Sequence, residues 1–143
     1  MNEAKYVEFL PEHLWDFDDV EGRLINGNVK REGEIHKKAG PSCSIEYDGR
    51  IILCGGIHRY WEGTGEAWVA IRKGCAGPAS LLMARKWLLA AAQANKFHRL
   101  QAFTKLAPVY SRTMRFFGFH HEATCIAYGP NGETKELWAR LFE

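Results

Sequence analysis

Glu66-Ala67-Trp68-Val69-Ala70-Ile71-Arg72 leads into Lys73-Gly74-Cys75-Ala76-Gly77, and Pro78 then opens a run to Lys96 before Arg99-Leu100-Gln101-Ala102-Phe103-Thr104-Lys105. The middle piece has helical periodicity. Leu81, Leu88 and Ala92 share a face flanked by Leu82 and Leu89, while Arg85, Lys86 and Gln93 point elsewhere. At 1.5 Å per residue the run from Pro78 to Lys96 is about 28 Å long. Pro78 suits a first helical turn, where its missing N–H has no intrahelical partner to lose. The flanking segments read as strands. A strand, a long helix and another strand form a βαβ unit, so the two strands are expected to be parallel with a right-handed crossover.

Upstream of this unit the period changes to two. Cys43, Ile45 and Tyr47 alternate with polar neighbours, Asp48-Gly49 is a two-residue hairpin signal, and Arg50 to Tyr60 reads as the return strand. A second turn over Glu62 to Gly65 leads into the strand Glu66 to Arg72, giving an antiparallel meander. Before it, Tyr6 to Leu10 reads as a strand and Pro11 to Val20 as a helix with Leu14, Trp15 and Phe17 apolar. Glu21 to Ala39, polar and basic with Gly22, Gly27 and Gly33, reads as short helical pieces and loop. Downstream, Pro108 to Phe117 is a helix stopped by Gly118, with apolar Phe119 beyond it. His120 to Tyr128 and Thr134 to Phe142 form a last hairpin around Gly129-Pro130-Asn131-Gly132. The order β-α-(α)-β-β-β-α-β-α-β-β defines an α+β class: a mixed, mostly antiparallel sheet with a parallel splay at its centre.

The 143 residues fit one domain with one core, residues 1–143. A net charge of +2 is too small to argue for nucleic acid or an anionic membrane, and no aromatic-basic pattern stands out. The longest apolar stretch, around Trp87 to Ala92, cannot cross a bilayer, and the N-terminus lacks an apolar signal region. The expected location is a cytoplasm. Cys43, Cys54, Cys75 and Cys125 form no CxxC pair, so free thiols are expected and neither a zinc site nor a redox motif is suggested.

The loop from Arg72 to Pro78 holds two basic residues and two glycines before a helix N-terminus. Helix N-termini present unpaired amides and partial positive charge, so the loop is a candidate phosphate cradle. A plain strand-to-helix turn has the same composition and is the commoner origin of it. Neither GxxxxGK[ST] nor GxGxxG is present, which argues against a P-loop or dinucleotide fold.

Element order and two motifs resemble the GNAT acyltransferases, which move acetyl groups from acetyl-CoA to amines. That family often carries Arg-Gly-x-Gly-x-Gly/Ala at this loop, and Lys73-Gly74-Cys75-Ala76-Gly77-Pro78 followed by Ala79-Ser80-Leu81-Leu82 lies on the motif. Its late helix typically ends Leu-Tyr-x-x-x-Gly-Phe, and Thr113-Met114-Arg115-Phe116-Phe117-Gly118-Phe119 matches the ending. The resemblance covers nearly the whole chain. It implies a GNAT-like three-layer fold, acetyl-CoA as cofactor, and a small-molecule or protein amine as acceptor. It implies a pyrophosphate site at Arg72, Lys73, Gly74, Cys75, Ala76, Gly77, Ala79 and Ser80, and pantetheine pairing along Val69 to Ile71. Two departures stand out. Ala76 and Pro78 replace motif glycines, and Pro78 removes one amide. Met114 stands where the family often has the tyrosine that protonates the leaving thiolate, and Met has no proton to donate. Tyr110, one turn earlier on roughly the same face, is the candidate substitute, with Ser111 beside it. Tyr110 as a packing residue is the alternative.

For the proton from the amine, Glu66 and His58 are the candidates, because both lie on meander strands facing a possible cleft. A solvated strand-end carboxylate and a half-buried packing imidazole are the competing readings. Glu66-Ala67-Trp68-Val69-Ala70 and Arg115 to Phe119 are also similar to short, tryptophan-rich GNAT-like proteins of tailed phages and prophages, including small internal virion proteins. That similarity implies a non-catalytic alternative: a virion component or a host-protein binder. A homodimer through the last hairpin is a further expectation.

Other features read as structural. His120-His121 point to opposite sheet faces and make a poor metal pair. Gly55-Gly56 marks a bulge or a close backbone approach, with the bulge the safer reading. Lys30-Arg31 and Lys37-Lys38 form a solvated face. Of the five tryptophans, Trp61, at a turn, is the one expected to line a substrate mouth.

Overall fold

The computed structural model describes residues 3–15, 20–21, 29–75 and 77–143. In chain order the elements are β1 (Lys5–Val7), α1 (Glu12–Trp15), β2 (Val20–Glu21), α2 (Val29–Ala39), β3 (Ser42–Tyr47), β4 (Arg50–Trp61) and β5 (Thr64–Arg72). They continue with α3 (Pro78–Ala94), β6 (Arg99–Thr104), α4 (Pro108–Phe116), β7 (His120–Cys125) and β8 (Lys135–Leu141). The strands form one sheet in the order β1-β3-β4-β5-β6-β8-β7, with β2 added to β5. Among the described residues only β5 and β6 run parallel; the other pairs are antiparallel. The expected α+β class and the parallel crossover are present.

Both faces of the sheet are covered. On one, Phe9 and Leu14 pack with Cys54, Trp68 and Ala70 beneath α1 and α2. On the other, Leu88 and Ala92 of α3 pack with Ile57, Leu100, Phe117 and Trp138. Alternation along β5 produces this division. Trp68 and Ala70 face the first cluster, while Ala67 and Ile71 face helix α3.

Turn chemistry follows the sequence closely in the meander. Asp48 and Gly49 both have positive φ, 53° and 74°, as a two-residue hairpin turn requires. Helix α4 ends with Gly118 at φ 86°. Phe119 N donates to Met114 O and Gly118 N to Arg115 O, the paired bonds of a Schellman ending.

Four expectations need correction. The first strand is Lys5–Val7 and stops before Phe9, which is buried in the core. The first helix cannot reach Val20, because Val20 pairs with Arg72 at the edge of β5; Phe17, Gly22 and Gly27 lie outside the described residues. The segment read as helical pieces and loop contains an 11-residue helix, α2. Among its described side chains the buried positions are Glu32, Gly33 and His36, which carry no apolar period to detect. Gly33 lies against α1, where an added Cβ would fall 2.8 Å from the Pro11 carbonyl. The last hairpin's first strand ends at Cys125, and Tyr128 belongs to the turn instead.

Gly55 and Gly56 sit on regular rungs opposite Val69 and Trp68. The register shifts fall at Ile45/Glu46 and Arg59/Trp61, so no bulge explains the glycines. Close approach does: a Cβ on Gly56 would lie 2.6 Å from the Pro41 carbonyl and 3.0 Å from the Ser42 Cα. Lys37 and Lys38 are exposed, with Lys37 donating to the Phe9 carbonyl at 2.9 Å; the side chains of Lys30 and Arg31 lie outside the described residues. Among the described residues no helix is long and apolar enough to cross a membrane, no cluster could hold a metal ion, and all four thiols are free.

Candidate functional site

The parallel pair is short. Thr64, Gly65 and Glu66 form rungs with Arg99, Leu100 and Gln101, and then β5 and β6 part. Further along the same edge, β2 pairs with Ile71 and Arg72. Among the described residues, positions 67–70 lie between these two pairings with no rung on that edge. A cavity of about 1090 Å³ opens there, walled by Val69 and Ile71 of β5, Ala102 and Thr104 of β6, and Tyr110 and Met114 of α4. Strand edges with unspent backbone groups accept an added extended segment.

The splayed end of β5 runs into the loop at Lys73. Gly74 takes φ 83°, and among the described residues, chain neighbours aside, no atom lies within 4 Å of where a Cβ on Gly74 or Gly77 would sit. Gly77 caps α3 without a side-chain cap bond, and Pro78 is the first helical residue. Helix geometry leaves the amides of Ala79 and Ser80 without intrahelical acceptors. Three groups of the expected phosphate site are already engaged. The Cys75 amide donates to the Arg72 carbonyl at 2.9 Å. The buried Ser80 hydroxyl turns inward to the carbonyls of Cys75 at 2.7 Å and Gly77 at 3.1 Å. The Arg72 guanidinium reaches back to the Ile51 carbonyl at 2.8 Å. Ala76 lies outside the described residues. The backbone window nearest the loop therefore centres on Val69, because Ile71 already faces Glu21 across β2.

Glu66 is the last residue of β5 paired before the splay, and it lines the cavity. Burial pushes its carboxyl above the usual carboxylate range, and a hydrogen bond from Tyr60 pulls it partly back. The Tyr60 hydroxyl donates to Glu66 Oε1. Burial and the neighbouring carboxylate raise the Tyr60 phenol, while a bond from the Gln101 side chain opposes the rise. Gln101 Oε1 accepts from Arg99 Nε at 3.2 Å. Arg99 in turn grips Glu122 with both guanidinium nitrogens, at 2.9 and 2.5 Å. This chain of side chains crosses β4, β5, β6 and the start of β7 at the level where the parallel strands separate. Tyr60, Gln101 and Arg99 were not singled out from sequence. Period-two counting holds no signal for Tyr60, because it is the unpaired residue at the register shift between Arg59 and Trp61, and the shift lets it reach Glu66.

His58 has a different setting. Its Nε2 contacts His36 Nδ1, and the His36 ring stacks on Trp68 at 3.9 Å. Burial lowers the His58 pKa, favouring the neutral ring. His58 does not line the cavity, whereas Glu66 and Tyr110 both do. Trp61 is 66% exposed and does not line it either; its neighbour Tyr60 is the ring that reaches Glu66. His121, expected to be structural, bonds Glu136 on the adjacent strand.

No family model matches the sequence, and no curated protein matches it. Solved structures do. Ard1 from Thermoplasma volcanium superposes with a TM-score of 0.79 at 12% identity, covering 98% of each chain. The putative acetyltransferase yncA from Salmonella typhimurium, solved with acetyl-CoA, gives 0.75 at 11% identity over 99% of this chain and 94% of that one. A mutant of the spermidine N-acetyltransferase SpeG from Vibrio cholerae gives 0.72 at 11% identity over 98% and 93%. The fold is that of the GNAT acetyltransferases. At these identities the likeness fixes the architecture alone.

Proposed function

We propose that this chain is an acetyl-CoA-dependent N-acetyltransferase acting on an amine. The observation that carries the reading is the position of Glu66: a carboxyl raised by burial, at the last parallel rung, beside an open strand edge that leads to a glycine-bearing helix N-terminus. The cavity and the edge at 67–70 fit an extended pantetheine arm, with Val69 supplying backbone groups and Ile71 supplying a side-chain wall. Gly74 and Gly77, open above their Cα atoms, admit a pyrophosphate. The amides of Gly74, Gly77, Ala79 and Ser80 would face it, with the charge of Lys73 nearby.

Acetyl-CoA would supply an activated thioester in the splay. Glu66 takes the proton that the acceptor nitrogen must lose before it can attack the carbonyl carbon. Tyr60 holds the carboxylate oriented while this happens. The Tyr110 hydroxyl, on the same cavity wall as Met114, is the group available to return a proton to the departing sulfur. His58, engaged with His36 and off the cavity, supports the sheet and leaves the base role to Glu66. Acceptors named for the neighbours include spermidine, and the amine here is proposed to be small and soluble.

A second reading keeps the fold without the catalysis, as a phage or prophage virion component or host-protein binder. Pro78 and the engaged Cys75 amide remove phosphate donors, and Met114 removes an acid. Titration of acetyl-CoA into the purified protein separates the two: heat of binding supports the transferase, and none at millimolar ligand supports the scaffold.

A further inference from the structure

Glu66 is half-buried, and among the described residues no cation pairs with it; its shift arises from burial and Tyr60 alone. The cavity's lysines, Lys105 and Lys135, act on Glu133 instead. One aromatic ring touches the carboxylate and two more share its cavity. Tyr60 bonds it directly, and Phe103 and Tyr128 line the same cavity. Tyr128 leaves the β7–β8 turn to stack on Phe103, with centroids 4.6 Å apart and planes 11° from parallel. It stands close enough to Tyr60 to act on its phenol. Tyr128 is nevertheless 58% exposed, and Tyr60 is 43% exposed. One open ring on a carboxylate that pairs with no cation among the described residues, and a second open ring on the same cavity, are the elements of a site for an external cation.

We infer that Tyr60, Phe103 and Tyr128 form an aromatic mouth over Glu66 that selects a small organic ammonium ion carrying an apolar body. This rests on the transferase reading for its purpose, and names the acceptor class that reading leaves open. The charged nitrogen settles between the ring faces and Glu66, and the apolar body lies against Phe103 and Tyr128. A neutral molecule of the same shape would gain the ring contact and leave Glu66 uncompensated.

The test is direct binding without acetyl-CoA, using benzylammonium and benzyl alcohol as probes of equal size and different charge, followed by tyrosine ring resonances and calorimetry. The expected result is binding of the ammonium at least about tenfold tighter than the alcohol. Tyr128→Ala should weaken it about tenfold and Tyr128→Phe should retain it, because the ring and not the hydroxyl is needed. Tyr128 is exposed on a turn, so its variants test the site without endangering the fold, and Glu66→Gln should abolish the preference for charge. Equal affinity for the two probes, or a preference unmoved by Tyr128→Ala and Glu66→Gln, would overturn the inference. The two readings fail separately. Ammonium binding without acetyl transfer would remove the transferase and leave the mouth. Transfer to an amine, with the alcohol inhibiting as strongly as the amine binds, would remove the mouth and leave the transferase.

Discussion

Tyr60 donates its phenolic hydrogen to the carboxylate of Glu66 across the β4–β5 hairpin, at the rung where β5 is about to leave β6. Neither residue is exceptional alone. Together they fix a proton acceptor at the mouth of the splay, and the Gln101–Arg99–Glu122 chain behind them ties the arrangement to three further points on the sheet.

Tyr60→Phe removes the bond that holds the Glu66 pKa down, so that pKa should rise further. The acid limb of the pH–rate profile should move to higher pH, and the carbon-13 titration of the Glu66 carboxyl should move with it. An unchanged titration would show that the bond does not act on Glu66.

Glu66→Gln should cost activity and add stability. The folded pKa of Glu66 is raised, so its favourable contribution is complete below the ordinary value of 4.5 and is lost as pH rises through the folded value. At neutral pH the wild type therefore carries a buried charge that the amide does not. The variant should melt higher at neutral pH, with the gain shrinking as pH falls toward 4.5. Acetyl transfer should drop by about 10²- to 10⁴-fold. A lower melting temperature at neutral pH would mean the carboxylate is a structural support.

His58 predicts acid sensitivity. Its folded pKa lies below the ordinary 6.5, so the unfolded chain takes up a proton first as pH falls. Stability present above 6.5 is lost progressively as pH drops toward the folded value. Replacing His58 with Gln should make melting temperature less dependent on pH between roughly 7 and 5. An equally steep dependence in the variant would place the titrating group elsewhere.

Gly56→Ala should cost about 1–3 kcal/mol, since its Cβ meets backbone atoms of Pro41 and Ser42 that no rotamer change can move. Denaturant melts would measure it. A neutral effect would show that the β3–β4 pair yields locally.

Legibility followed the physics of each segment. The meander, the long helix and the crossover were readable because period, turn glycines and length agree there, as at Asp48-Gly49 and Gly118. Helix α2 is hidden because the buried positions among its described side chains are Glu32, Gly33 and His36, whose burial depends on partners distant in sequence. The strand β2 was hidden because two residues carry no period, and the edge of β5 supplies the reason for its structure. Glu66 is legible from its place on a strand, whereas the cavity around it depends on the splay. Tyr60 and Tyr128 escaped notice because their relevance comes from register and from a turn that ends the strand three residues early. Sequence spacing also makes His58 an equal candidate to Glu66; the contact with His36 and a place off the cavity set His58 apart.

A nucleotide-thioester site at the β5 splay and the α3 N-terminus can be probed by calorimetric titration of acetyl-CoA into the wild type and Gly77→Glu. An acidic residue at that cap should stabilise the helix by about 0.3–1 kcal/mol, so the variant stays folded while repelling a pyrophosphate. The wild type should bind, and the variant should bind at least about tenfold more weakly. No heat with the folded wild type, or equal affinity in both proteins, would contradict it.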